Sequence, residues 1–250
     1  MKRNITTILT IAAAGLMFAS CCNRANSTSE EPVSKEVHAA LDAYRFELDT
    51  TIKTPAFDPY ELGEEPVFDM VTTAGTIRFK FYRQTPLHRA VYTKLIAGHF
   101  FDGILFHRVV DGFMIQGGDP YTKDTSKVAL YGQGGPDYTI PAEFVSEYWH
   151  KKGAIAAARK GDMANPKKAS SGSQFYIVQD ENNCLHLDGQ YSIFGETIEG
   201  LDVIDRIAKV PTDRYDRPLQ DVRIITIKPV EPEIPEEAAP ADSTSTAPQE

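Results

Sequence analysis

Phe100-Phe-Asp-Gly-Ile-Leu-Phe-His-Arg-Val-Val-Asp-Gly-Phe-Met-Ile-Gln-Gly-Gly-Asp-Pro120 holds two short apolar runs, Leu105–Val110 and Phe113–Gln116, with a turn between them. Runs of this length bounded by turn residues read as strands rather than helices. A strand presents successive side chains to opposite faces, so only one of Phe113 and Met114 can point into a core. Arg108 stands inside the first run, where a lone guanidinium next to a strand would ordinarily be a surface ion-pair partner.

The flanking sequence repeats the same pattern. Val67 to Thr73 and Thr76 to Tyr82 surround Ala74-Gly75, and Thr76, Arg78 and Lys80 alternate with Ile77, Phe79 and Phe81. Period-two alternation across a glycine turn predicts a hairpin with one buried face. Thr85-Pro86 opens a helix that runs to about Gly98, with proline at its first position and glycine just past its end. Further strands are expected at Ala154–Ala158, Gln174–Val178, Ser192–Glu196 and Arg223–Pro229, and a second helix at Leu201–Ala208. Many short strands with two helices predict a mainly β fold, a closed antiparallel barrel rather than a βαβ sheet.

Outside this region the composition changes. Lys2 and Arg3 precede an apolar run from Ile5 to Phe18. That run is shorter than the ~20 residues a spanning helix needs, so residues 1–20 read as a secretion signal. Ala19-Ser20-Cys21 resembles a bacterial lipobox, which implies lipidation of Cys21 and a lipid-anchored, periplasmic or surface-facing place in the cell envelope. Residues 21–66 read as a polar tether and a proline-containing arm, and residues 67–229 as the globular domain. Residues 230–250 form an acidic tail expected to be disordered. That tail holds six carboxylates and no basic side chain, so the remaining residues carry only −3 of the net −9. Nucleic acid is therefore not an expected partner, since phosphate binding needs a concentrated basic face. With Cys21 acylated and Cys22 in the tether, Cys184 stands alone and reads as a buried thiol, not part of a disulfide framework. The six histidines show no metal-site spacing, so no metal and no cofactor is expected.

The quoted run closely resembles the cyclophilin signature. Met163-Ala-Asn165, Ser171-Gly-Ser-Gln-Phe-Tyr-Ile177, Leu187-Asp-Gly189 and Phe194-Gly195 resemble further elements of that family, in its order. The resemblance covers about residues 67 to 229. It implies an eight-stranded antiparallel barrel capped by two helices, a monomer, and peptidyl-prolyl cis/trans isomerase activity on proline-containing segments of folding proteins. Carried over residue by residue, it makes Arg108 the central polar group, oriented by Gln116. Phe113, Met114, Tyr176 and Leu187 become the pocket for the proline ring. Ala164 and Asn165 line a strip for the peptide backbone, with Gln174 beside it. His107, His186 and Tyr191 fall around the groove.

Two positions depart from the family pattern. His186 replaces a larger aromatic, which implies weak binding of the cyclic peptide cyclosporin. Tyr176 replaces Phe in the proline pocket, which fits if its hydroxyl finds water or a partner. The segment from Pro120 to Tyr138 is longer than expected, and its glycines lack the Lys-Ser/Thr of a phosphate loop. A second reading keeps the groove but not the catalysis: a Pro-peptide-binding module or holdase. The residue types suit the first reading. Exchange of an X–Pro bond is slow because amide resonance must be broken, yet no bond is made or cut. A fixed cationic fork beside an apolar slot favours the twisted amide, whose nitrogen can accept a hydrogen bond.

Overall fold

A computed structural model describes residues 55–230 of the chain. The expected signal segment, lipidation site Cys21 and acidic tail lie outside the described residues. Strands β1 (Val67–Thr72) and β2 (Gly75–Phe81) form the expected hairpin, with Thr73 and Ala74 as its two-residue turn. Ile77, Phe79 and Phe81 are buried while the residues between them are not. Helix α1 (Pro86–Ala97) follows, with proline at its start and Gly98 capping its end. Then come β3 (Arg108–Val110), β4 (Met114–Gly117), β5 (Thr139–Ile140), β6 (Ala154–Ala157), β7 (Ser170–Ser171), β8 (Phe175–Val178) and β9 (Ile193–Glu199). Helix α2 (Leu201–Ala208) and β10 (Ile224–Pro229) complete the domain.

Eight strands form one antiparallel sheet in the order β10-β1-β2-β9-β6-β8-β4-β3, while β5 and β7 pair separately. The expected closed barrel is a half-barrel: the edge strands β10 and β3 do not pair. The two edges meet just outside these strands. Leu105 and Arg223 make a single antiparallel bridge. It is flanked by the hydrogen bonds Phe106 N to Val222 O and Ile224 N to Ile104 O. The outward N–H of Leu105 goes to Thr122 Oγ1 and that of Arg223 to Thr73 Oγ1, and within β3 itself the Val109 N–H donates to Asp216 O rather than to β10.

The inner face of the sheet packs Phe68, Phe79, Phe81, Phe175 and Phe194 around Tyr92 of α1. Pairs such as Tyr92–Phe194, 4.3 Å between centroids, fill the space with large rings, each adding roughly 1 kcal/mol beyond its buried area. The sheet also buries part of its outer face. Met114, Ala154, Ala156, Tyr176 and Val178 belong to a second apolar cluster with Leu187, Cys184 and Ile193. Alternation thus divides β8 between two cores, Phe175 and Ile177 inward, Tyr176 and Val178 outward. The arm packs on the domain as well. Phe57 and Leu62 lie against the inner core, Ala56 N donates to Ala97 O, and the Arg89 guanidinium donates to Glu64 O.

The Gly117-Gly118 corner after β4 sets the position of everything that follows it. Gly118 has φ +92°, and a Cβ there would stand 2.2 Å from Ser173 O, a backbone atom that cannot swing away. Gly118→Ala is expected to lower stability by more than about 3 kcal/mol, from overpacking and left-handed strain together. Thermal or denaturant unfolding reads this, and a change under 1 kcal/mol would show that the corner relaxes freely.

Candidate active site

On the outer face, between the strand pairs β3–β4 and β6–β8, lies a cavity of about 180 Å³. Its apolar floor is Phe113, Met114, Tyr176 and Leu187. Ile115, between Met114 and Gln116, points into the inner core. Phe113 precedes β4 and is half-buried, so both it and Met114 reach the groove.

Arg108 and Gln116 face each other across the β3–β4 ladder, and both line the cavity. The expectation that Gln116 orients Arg108 is not met. The Gln116 carboxamide donates to Gln174 Oε1 at 3.2 Å. Arg108 is held instead by Asp216, whose Oδ2 accepts from Nε at 3.2 Å. Asp216 has φ 62°, and its carbonyl accepts the Val109 N–H at 2.7 Å. Asp213 builds the turn that puts it there, accepting the N–H groups of Tyr215 and Arg217. Both members of the Arg108–Asp216 pair keep over two-fifths of their side chains exposed. An exposed pair of this kind is worth ~0–1 kcal/mol, so it tethers the guanidinium without locking it. Among the described residues the two Nη groups make no hydrogen bond.

Ala164 and Asn165, which the resemblance puts on a strip for the peptide backbone, are not among the residues lining this cavity. They sit in the exposed loop between β6 and β7, where Asn165 Nδ2 donates to Ala169 O and Asn165 Oδ1 accepts from Ala169 N. The fourth side of the cavity is Ala158 and Arg159, directly after β6. Arg159 stacks over the Tyr191 ring, 4.4 Å from its centroid, and its Nε donates to Gln190 O. Only 5% of its side chain is exposed. Tyr191 in turn meets Tyr176 edge to face. The signal for Arg159 was its place directly after the apolar run Ala154–Ala158.

The remaining predicted residues play other parts. Gln174 is buried and faces the glycine loop, donating to Gly132 O and Gly134 O at 3.0 and 2.7 Å. His186 lies at the exposed rim with its ring stacked on Phe113, 6.3 Å between centroids. His107 is not in the groove: it neighbours Arg108 in sequence and therefore faces the other way, against Gly132. Cys184 is buried, and burial pushes its thiol up to about 11, which suits packing rather than nucleophilic chemistry. Among the described residues no group of three His, Cys, Asp or Glu side chains could hold a metal ion. A larger hollow of about 470 Å³ between residues 55–60 and the end of α1 is lined by Pro55, Phe57, Pro59 and Tyr60 together with Asp58 and Lys94.

The family model described as cyclophilin type peptidyl-prolyl cis-trans isomerase matches residues 67–229, the span that contains every residue of this cavity. The chain belongs to the cyclophilin family. It is 31% identical over 170 residues to peptidyl-prolyl cis-trans isomerase CYP18-2 of Arabidopsis thaliana, covering 68% of this chain and 96% of that one. It is 36% identical to peptidyl-prolyl cis-trans isomerase CYP71 of the same plant, covering 63% of this chain but only 23% of that larger protein. Among solved structures it resembles a Cryptosporidium parvum cyclophilin crystallised in the presence of the dipeptide Ala-Pro. The TM-score is 0.58 and the identity 25%, over 66% of this chain and 99% of that one. The enzyme class of the family is peptidyl-prolyl cis-trans isomerase.

One histidine of this cyclophilin should be visible in its stability. Burial, assisted by the neighbouring Arg108 charge and opposed by Asp119, pushes His107 down to about 4. Its Nδ1 has no partner among the described residues. An unfolded histidine titrates near 6.5. Between those values the unfolded chain takes up a proton that the folded chain refuses, so stability is present above about pH 6.5 and lost as pH falls. The loss from pH 7 to 4.5 should be roughly 2–3 kcal/mol smaller in His107→Gln than in the parent. Equal losses in denaturant titrations of the two would place the acid sensitivity elsewhere.

Proposed function

We propose that the chain accelerates cis/trans exchange of X–Pro bonds by setting the Arg108 guanidinium beside the amide while the proline ring fills the slot of Phe113, Met114, Tyr176 and Leu187. The observation that carries this is the sharing of one outer-face cavity by that cation and that slot. The relative crystallised with Ala-Pro supports a prolyl ligand for the same fold.

Raising an exchange of ~0.01 per second by five decades requires ~7 kcal/mol. As the amide twists, its nitrogen lone pair leaves conjugation and becomes an acceptor. A guanidinium donor aimed there is favourable mainly at the top of the barrier, the condition for raising kcat. One charge-assisted bond in a partly dry groove supplies about half. Holding the ring while the N-terminal side rotates supplies much of the remainder. The Asp216 tether leaves the Nη groups for this, because it engages only Nε. No proton is transferred, and His107, turned away and held neutral, has no part in the step.

We further propose that the isomerase domain works as a monomer in the cell envelope, on proline-containing segments of proteins that fold there, tethered by a lipid on Cys21. The lipobox-like Ala19-Ser20-Cys21 after a short apolar run supports this. In a bacterial host fed an alkynyl fatty acid, the parent chain is expected to carry label and Cys21→Ser to lose it; equal labelling of both would refute the anchor.

Two-dimensional NMR exchange on an X–Pro peptide tests the catalysis. Arg108→Ala is expected to lower the acceleration at least a hundredfold, while peptide binding stays within about threefold. Failure of the parent chain itself to accelerate exchange, with binding intact, would establish the binding-module reading instead. Activity should be nearly flat between pH 6 and 9, because His107 titrates below that window and burial holds Tyr176 well above the usual phenol range. A bell-shaped profile would mean that a titrating side chain enters the rate-limiting step.

A further inference from the structure

The Tyr hydroxyl that departs from the family's usual Phe has a partner, and that partner has one of its own. Tyr176 OH stands 2.8 Å from Nε2 of His150, a ring that is fully buried. The His150 Nδ1 lies 2.6 Å from Asp188 Oδ1, and the same oxygen accepts the His150 backbone N–H at 2.8 Å. His150 lies in the segment leading into β6, Tyr176 on β8, and Asp188 beyond the turn that carries His186 and Leu187. Three separate parts of the chain thus converge under the slot.

The donors can be assigned. A carboxylate only accepts, so the proton between His150 and Asp188 sits on Nδ1. Burial holds the imidazole neutral, opposed by Asp188 and assisted by His186. Nε2 is then a bare acceptor, and Tyr176 donates to it. The phenol ring, parallel to the imidazole within 6° and 5.9 Å from it, has one hydroxyl direction available and one orientation at the floor of the cavity. Asp188 keeps a third of its side chain exposed, so the chain of bonds runs from solvent to the slot. The other groups facing this chain are Cys184, Tyr191 and Arg159, which adjoin Tyr176.

We infer that His150, fixed in its Nδ1–H tautomer by Asp188, is a positioning residue for catalysis: it holds Tyr176 as the floor of the proline slot and so sets how well the ring is gripped. This rests on the isomerase reading of the cavity but uses a separate set of residues from Arg108. Without the Tyr176 anchor the slot still holds a bound ring, only less tightly, and that tightness is binding that ground state and transition state share, so its loss raises KM and leaves kcat nearly unchanged. The Arg108 contribution has the opposite signature.

A double-mutant cycle on the full chain tests it, with an X–Pro peptide as substrate. His150→Ala is expected to raise KM about tenfold with kcat within twofold. In a Tyr176→Phe background the same substitution should change KM by less than twofold, because no hydroxyl remains to hold. An equal rise in both backgrounds would reduce His150 to general support of the fold. An unchanged KM in the parent background would overturn the proposal outright. If His150→Ala does not fold, nitrogen-15 NMR of the parent imidazole decides. Protonated Nδ1 and an accepting Nε2 whose resonance moves in Tyr176→Phe are expected; an Nε2–H tautomer would refute the assignment. Should the parent chain bind peptide without accelerating exchange, the isomerase reading fails alone, and the cycle is read on peptide Kd with the same expected coupling.

Discussion

The two-residue period of a β-strand is the constraint on which the rest of this molecule rests. β4, β8 and β6 are buried on both faces, so each successive side chain must satisfy a different environment. Inward positions are aromatic and branched residues that fill the half-barrel. Outward positions are Met114, Tyr176, Ala154 and Ala156, which together make a shallow apolar surface that does not fill itself. Alanines at 154 and 156 matter because larger side chains there would crowd the outer cluster that supports the floor. The slot is therefore the part of the second core that the chain leaves uncovered, and its edges are set by where strands end.

Polar groups fix those edges. Buried Asp119 accepts the N–H of Tyr121, and those of Gly132 and Gly134 from the far side of the loop. Gln174 closes the same loop by donating to the two glycine carbonyls and accepting from Gln116. A buried carboxylate or amide left partly unpaired costs about 1–3 kcal/mol, so this set is stable only when complete. Its completeness pins Gln116, and with it the strand opposite Arg108. Asp216 then acts on a guanidinium whose backbone is already in place. Its exposed bond narrows the range of the side chain, while the backbone bond from Val109 keeps β3 against the 213–217 turn.

Local pattern made most elements legible. Alternation gave the hairpin, and proline and glycine placed the ends of α1 within a residue. What escaped was what sequence order does not encode. β3 does not pair with β10, and its Val109 N–H donates instead to Asp216 O in the 213–217 turn, a contact no local pattern announces. The cavity wall beyond the end of β6 at Ala157 is Ala158 and Arg159, side chains that none of the quoted motifs contained. His107 adjoins Arg108 and looked close to the chemistry, but adjacency along a strand is separation across it. Asp216 carried no signal short of knowing that its turn folds back on β3.

Two carboxylate–imidazole–hydroxyl chains run through this one domain, and comparing them shows what makes one of them matter to the site. In the first, Glu143 accepts from His88 Nδ1 and from the Leu87 and His88 backbone, while Nε2 meets Ser170 Oγ at 2.8 Å. It caps the start of α1 and ties it to β7, with its imidazole and hydroxyl sealed from solvent. In the second, the same order of groups ends on a phenol whose ring is a cavity wall. The hydrogen-bond logic is identical. The difference lies in the last residue: a serine hydroxyl finishes a structural knot, whereas a tyrosine carries the constraint several ångströms further, to a surface where a substrate can meet it. The departure from Phe at position 176 therefore adds a polar anchor behind an apolar face, and it does so without putting a polar atom into the slot.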